Sequence, residues 1–248
     1  KIGKKNKLKV LSKYGVGLDK IDLDSAKKNN IIVSNCPGIN QRSVAEHVIA
    51  LIFTYEKNIH HQYNSVQKGS WVRLIGNEVR NKTIGIIGLG AIGKELCKIA
   101  VGVGLNVIVY DIKKDLDFLN IHNEIKFVSI NELYENSDYI SLHVPLNAKT
   151  KNMIDYEVMK KLSMKKPIII NTARAKLVVS KDILKAIKNK HISSYLCDVL
   201  ENEPIEDNEI LLNNKKIIIT PHVGSRTYQN VEKQGEMAIN NLDQALKF

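Results

Sequence analysis

Between residues 83 and 220, short apolar runs alternate with amphipathic stretches, and this alternation limits the fold more than any other feature. The runs are 83–88, 106–110, 138–143, 167–172, 194–199 and 216–220, almost continuous in Ile, Val and Leu. Strands with that composition are buried on both faces. Helical spacing falls between them at 91–103, 131–136, 156–162 and 181–189. Strand, helix, strand, helix predicts a parallel, doubly wound sheet of the α/β class.

Two longer helices are expected beside this unit, over 43–66 and 227–246. Ser43 followed by Glu46 reads as a capping box that opens the apolar series Val44, Val48, Leu51, Ile52. Residues before Ser43 stand outside the sheet pattern. A strand is expected over 7–14 and a tight loop over 15–19. The chain begins on Lys rather than Met, so the start of a protein, or of its first domain, is expected to be missing.

Composition removes several classes. The 248 residues allow one large or two modest domains. With 44% apolar and 25% charged residues, disorder and collagen-like order are excluded. No run approaches the roughly 18 apolar residues of a membrane helix. The basic start, Lys1 to Lys9, has no apolar stretch behind it and so does not read as a secretory signal. Cys36, Cys97 and Cys197 are odd in number and far apart. That fits a reducing, cytoplasmic compartment and small buried side chains, with no disulfide framework and no metal. The net charge of +11 comes from 32 Lys and five Arg, scattered along the chain. An A/T-rich coding sequence produces this bias, and Asn-richness, without any functional cause. No zinc-finger or RNP motif accompanies it, so no nucleic-acid partner is expected.

The densest local signal is Gly88-Leu89-Gly90-Ala91-Ile92-Gly93, placed between an expected strand and an expected helix. That context gives the pattern meaning. Gly88 permits the sharp turn, Gly90 lets backbone approach a pyrophosphate, and Gly93 allows close helix–sheet packing. The helix N-terminus, with Ala91 and Ile92, attracts the anion. Asp111 follows the next strand, 18 residues after Gly93. A carboxylate there accepts from an adenosine ribose and repels a 2′-phosphate, which favours NAD over NADP. Lys113 and Lys114 weaken that exclusion. A tight turn without a ligand and an ordinary loop Asp are the plain alternatives.

Three more segments fall at the carboxyl ends of expected strands, where open α/β sheets bind ligands. They are Asn171-Thr172-Ala173-Arg174, Asp198 through Pro204, and Thr220-Pro221-His222. Arg174, Glu203 and His222 could thus converge. Arginine binds a carboxylate bidentately. Histidine moves a proton near neutral pH. A neighbouring Glu fixes the tautomer of such a His and stabilises its cation. Taken singly, each residue could equally be a surface ion pair, a solvated loop charge or a loop histidine.

On these motifs the sequence resembles the D-isomer-specific 2-hydroxyacid dehydrogenases, closest to the D-3-phosphoglycerate dehydrogenase branch. The likeness covers essentially the whole chain. Beyond the segments above it includes Lys13-Tyr14-Gly15-Val16-Gly17-Leu18-Asp19, Asn35-Cys36-Pro37-Gly38, Ser43-Val44-Ala45-Glu46-His47, Trp71 and His143-Val144-Pro145-Leu146. The resemblance implies a Rossmann-type NAD domain over 45–225, inserted into a smaller substrate domain. The latter would be incomplete here, with 1–44 and a returning helix over 226–248 as its parts. It implies His222 as acid/base, Glu203 as its partner and Arg174 as the group that binds and polarises a 2-oxo acid. Val16 and Gly17 would hold the substrate carboxylate through their backbone. Asp198 would face the nicotinamide carboxamide, while Val144, Pro145, Thr172 and Ala173 would line the cofactor site. Hydride would pass between NAD and a small D-2-hydroxy acid or its 2-oxo acid, with 3-phosphoglycerate, and so serine biosynthesis, as the lead. Arg42, Lys13 and Arg226 are the candidate cations for its phosphate.

The same resemblance implies a homodimer, with Ile49, Phe53 and Tyr55 able to serve either that interface or the core. An NAD(H)-sensing corepressor-like protein with little turnover is the alternative function. This chain departs from the family pattern at three points. Ala175 stands where Gly is usual, which is costly if the backbone there needs positive φ. Val179 stands near a usual acidic residue. The family's N-terminal segment is expected to be missing, leaving the substrate wall incomplete.

Overall fold

The computed structural model describes residues 8–247. In chain order the elements are β1 (Val10–Ser12), α1 (Leu23–Lys28), β2 (Ile32–Ser34), α2 (Gln41–Glu56), α3 (Ile59–Gln67), β3 (Thr83–Ile87), α4 (Ala91–Gly102) and β4 (Asn106–Tyr110). Then come α5 (Leu116–Ile121), β5 (Ile125–Phe127), α6 (Ile130–Asn136), β6 (Tyr139–Leu142), α7 (Tyr156–Lys161), β7 (Ile168–Asn171), α8 (Ser180–Lys188), β8 (Ser194–Cys197), β9 (Ile217–Ile219) and α9 (Tyr228–Leu246). Short 3-10 turns at Leu162–Met164 and Ala175–Leu177 complete the list of helices among the described residues.

The chain divides into two units, Val44–Gly224 and Lys1–Ser43 with Ser225–Phe248. In the larger unit seven parallel strands run in the order β5-β4-β3-β6-β7-β8-β9. The chain winds outward from β3 through β4 to β5, then returns to β6 on the other side of β3. That reversal makes a switch point between β3 and β6, where the register pairs Ile87 with Leu142. Ile84, Ile86, Ile140, Leu142, Ile169, Ile170 and Leu196 are buried. These branched side chains fill both faces of the sheet, as two core clusters, one on each side. Ile49 belongs to one of them, and Phe53 and Tyr55 pack against it. The doubly wound fold expected from the alternation is therefore the one observed.

In the smaller unit β1 and β2 form a two-stranded parallel sheet in register from Val10 and Ile32. Helix α9 packs on it: Ser12 Oγ donates to Ala238 O (2.6 Å) and Asn241 Nδ2 to Asn35 O (2.8 Å). Thr227 caps α9, accepting from Asn230 N.

Some expectations need correction. The single helix expected over 43–66 is two, because Asn58 adopts φ 52 and breaks the ladder. Asn tolerates that left-handed region better than most residues. Ser43 is not an N-cap: α2 begins at Gln41, and the Ser43 hydroxyl lies 2.9 Å from that of Thr227. The strand expected over 7–14 is shorter, Val10–Ser12, and Lys7 lies outside the described residues. Helices α1 and α5 and strands β2 and β5 were not expected at all. Ala175 opens a 3-10 turn and is absent from the positive-φ residues, so the feared cost of replacing Gly does not arise. Val179 is the N-cap of α8 and offers no side-chain hydrogen bond, so that helix starts uncapped.

All three cysteines are free and buried. Burial pushes the Cys97 and Cys197 thiols up to about 12.

Candidate active site

The carboxyl edge of the large sheet carries the singled-out residues that belong to the larger unit. The turn 88–93 follows β3. Gly88 has φ +104, and a Cβ there would meet His143 O at 2.5 Å. At Gly93 a Cβ would meet Gly88 O at 2.0 Å. Both positions accept only glycine, one for its backbone angle and the close strand, the other for the close helix. Gly90 differs: nothing lies within 4 Å of its Cβ position, and it is the N-cap of α4. Open space in front of a helix N-terminus is what a pyrophosphate requires. Ala91 is exposed and Ile92 half-buried beside it.

Asp111 stands at the mouth of β4. Its Oδ2 accepts from Leu89 N (2.6 Å) and its Oδ1 from Lys113 N (3.3 Å), so the carboxylate is held against the glycine turn. Across the switch point, Val144 and Pro145 follow β6, and the Val144 Cγ1 would lie 3.1 Å from a Cβ on Gly88. His143 Nε2 pairs with Ser141 Oγ at 2.8 Å, and burial pushes that imidazole down to about 4, so it is neutral at physiological pH. Thr172 and Ala173 follow β7. The Thr172 hydroxyl is buried without a hydrogen-bond partner in the structure. An orphaned buried hydroxyl at the same sheet edge as an open helix N-terminus fits a bound polar ligand. The residues present therefore fit a dinucleotide.

Arg174 extends from the same strand mouth. Asn171 Nδ2 donates to Arg174 O (2.9 Å), Ala173 N donates to Asn171 Oδ1 (3.1 Å), and Arg174 Nη1 donates to Ala173 O (2.7 Å). Asn171 is thus a buried bracket for the arginine's backbone, a role its position at the strand end could have suggested.

Glu203 and His222 meet. The His222 Nδ1 lies 2.9 Å from Glu203 Oε2, and Glu203 Oε1 accepts from Leu200 N (3.2 Å). The imidazole is 48% exposed and the carboxylate 26%. His222 has φ 54, a left-handed conformation that is uncommon for a residue with a side chain. The Glu203–Pro204 peptide bond is cis.

Asp198 is only 2% exposed, and the sequence did not reveal what holds it. It accepts from Thr220 Oγ1 (2.6 Å), Val223 N (2.9 Å) and Gly224 N (2.7 Å). The loop 220–224, which carries His222, closes on this carboxylate. Val16 and Gly17 lie in the smaller unit, in the loop after β1. There Asn35 Nδ2 donates to Val16 O (2.7 Å) and Cys36 N donates to Gly15 O (2.9 Å). Among the described residues no group of His, Cys, Asp and Glu could hold a metal. No described helix is long and apolar enough to cross a membrane.

The model of the D-isomer specific 2-hydroxyacid dehydrogenase NAD binding domain matches residues 49–224, nearly the whole larger unit. The chain belongs to this family. Its cofactor is NAD, and it is an NAD-dependent D-2-hydroxyacid dehydrogenase by family. A glyoxylate reductase of Thermofilum pendens is 34% identical over 97% of this chain and 72% of its own length. A D-3-phosphoglycerate dehydrogenase of Methanocaldococcus jannaschii is 37% identical over 99% of this chain and 47% of its own. The solved D-lactate dehydrogenase of Aquifex aeolicus, complexed with NAD and lactic acid, superimposes with a TM-score of 0.87 at 30% identity, covering 97% of this chain and 77% of that one.

Proposed function

We propose that this chain interconverts a small D-2-hydroxy acid and its 2-oxo acid, with 3-phosphoglycerate and 3-phosphohydroxypyruvate as the lead pair. The observation that carries the reading is the 2.9 Å contact of His222 Nδ1 with Glu203 Oε2 at the edge that also bears the glycine turn. Bound NAD supplies two-electron redox chemistry. The amides at Gly90, Ala91 and Ile92 hold its pyrophosphate, and Asp111 its ribose. Gly88 and Gly93 shape that turn, while Val144, Pro145, Thr172, Ala173 and Asp198 line the remainder.

The acid–base work falls to this chain's own side chains. Glu203 fixes the His222 ring through Nδ1 and leaves Nε2 for the substrate. Nε2–H gives its proton to the substrate oxygen as the carbonyl becomes an alkoxide, and takes it back from the hydroxyl in the reverse direction. Glu203 offsets the positive charge that forms on the ring. Arg174 holds the carboxylate and polarises the carbonyl, which orients the acid. By resemblance alone, the Val16 and Gly17 amides are assigned to the substrate carboxylate. Lys13, Arg42 and Arg226, all in the smaller unit, are the proposed phosphate cations.

A homodimer is part of this proposal. Tyr63, Trp71, Val72 and Ile75 are exposed in and after α3, and a second copy of the chain would cover them. Trp71→Glu then yields a monomer by light scattering.

The substrate is tested by kcat/KM with NADH for 3-phosphohydroxypyruvate, hydroxypyruvate, glyoxylate and pyruvate. A preference for the phosphorylated acid that Arg226→Gln abolishes supports the lead. Equal use of hydroxypyruvate removes it. Tight NADH binding with no acid reduced favours the sensor instead.

A further inference from the structure

The network around Asp198 includes a side chain with no role in the reaction described above, His47 of α2. Its Nε2 lies 2.9 Å from Thr220 Oγ1 and 3.5 Å from Asp198 Oδ1. The proton assignments follow from valence. An ionised carboxylate only accepts, and a threonine hydroxyl has one proton to give. Thr220 gives that proton to Asp198 at 2.6 Å. Toward His47 it can therefore only accept, so Nε2 of His47 carries a hydrogen. Burial lowers the affinity of this imidazole for a second proton, against the opposing pull of Asp198. The ring is thus a donor through Nε2, bonded to Thr220 and 3.5 Å from Asp198 Oδ1.

Packing agrees with this arrangement. A Cβ on Gly224 would lie 3.0 Å from Asp198 Oδ2 and 3.4 Å from His47 Cδ2, so loop, carboxylate and imidazole fit closely. His222 lies between these anchors, after Thr220 and before Val223 and Gly224. Its φ of 54 lies in the left-handed region that L side chains rarely adopt and persists only where the surroundings fix it.

We propose that His47 is a positioning residue for His222: it locks Thr220 and Asp198, and through them the loop 220–224 that presents the acid/base imidazole. Its effect on turnover rests on the dehydrogenase reading above, whereas its effect on the loop does not. His47→Phe keeps a ring of similar shape but removes the donor. Thr220 then keeps its bond to Asp198 but loses the donor on its other side, and Asp198 loses one of its neighbouring hydrogens. His47→Gln restores an N–H near the place of Nε2.

The test uses the full chain and two readouts, amide hydrogen exchange at Val223 and Gly224, and kcat and KM with NADH and the best 2-oxo acid. In His47→Phe both amides exchange faster, and kcat falls about 10- to 100-fold while KM changes less. His47→Gln recovers most of both. Thr220→Val reproduces the His47→Phe result and replaces it if that variant does not fold. Unchanged exchange and kcat in a folded His47→Phe or Thr220→Val overturn the proposal. Equal loss in the Phe and Gln variants also overturns it, since that pattern reports packing alone. A wild-type chain without turnover overturns the dehydrogenase reading, and the exchange rates still decide this one.

Discussion

At the amino edge of the large sheet, Glu56 is 3% exposed and accepts from Tyr139 Oη (2.6 Å), Lys82 Nζ (2.7 Å) and Asn77 Nδ2 (2.8 Å). At the carboxyl edge, Glu203 is 26% exposed and its partner His222 48%. Both sites pair a carboxylate with a donor at hydrogen-bonding distance. The amino-edge charge is saturated: both carboxylate oxygens are bonded by three donors, and at 3% exposure no substrate could reach them. The carboxyl-edge pair keeps one imidazole nitrogen toward solvent, on a backbone angle that proteins seldom adopt. Saturation makes a buried charge structural, whereas an open valence on a held ring makes it chemical.

Substitutions at the two edges should separate accordingly. The largest effect is expected at Arg174. Arg174→Gln loses the fork for the substrate and lowers kcat/KM for every 2-oxo acid about 100- to 1,000-fold, with thermal stability unchanged. Retained kcat/KM would remove Arg174 from the site.

Next is Glu56→Gln, which breaks a buried pair and costs roughly 3 kcal/mol in denaturant unfolding at neutral pH, with kcat within about twofold of wild type. Its pH dependence has a definite sign. Burial alone would raise the Glu56 carboxyl, but the bonds from Lys82, Tyr139 and Asn77 win and hold it below its ordinary value of 4.5. A carboxyl depressed in the fold contributes its stability above the ordinary value and loses it as pH falls through the folded one. The gap between wild type and Glu56→Gln should therefore be constant at neutral pH and close below about pH 4.5. A gap that widens in acid would contradict the network.

The glycines offer a finer contrast. Gly93→Ala puts a Cβ 2.0 Å from the unstrained position of Gly88 O and should destabilise the fold by about 1–3 kcal/mol. Gly90→Ala meets only open space; it should leave stability unchanged within about 0.5 kcal/mol and weaken NADH binding, read by fluorescence titration. Loss of stability at Gly90 would mean that its role is conformational. The smallest effect is expected at Val179. Val179→Asp supplies the cap that α8 lacks and should add about 1 kcal/mol to unfolding free energy.

Much of this was legible in the sequence, for identifiable reasons. Strands buried on both faces are written as continuous Ile and Val, so β3, β4, β6, β7, β8 and β9 could be read directly. β5 could not: Ile125-Lys126-Phe127 is a three-residue edge strand with a charge in its middle. α1 and α5 have six residues each, too short for an apolar period to show. The break at Asn58 was hidden because the apolar pattern continues across it; the signal was the Asn itself.

At the site, residue types and strand ends named Arg174, Glu203 and His222. The clamp on Asp198 was invisible, because two of its donors are backbone amides, which no sequence pattern distinguishes. His47 was legible only as part of a motif. Its partner Thr220 lies 173 residues away, and only the fold brings them together.

The most direct measurement is NADH consumption in a single turnover with the preferred 2-oxo acid, comparing wild type with His222→Asn. Asparagine tolerates the left-handed angle at 222, so the backbone is kept while the proton donor is lost. The account predicts that both proteins bind NADH equally, that wild type forms one D-2-hydroxy acid per NADH consumed, and that the variant is slower by about 100- to 10,000-fold. A variant as fast as wild type, or a wild type that binds NADH and reduces none of the acids, would contradict it.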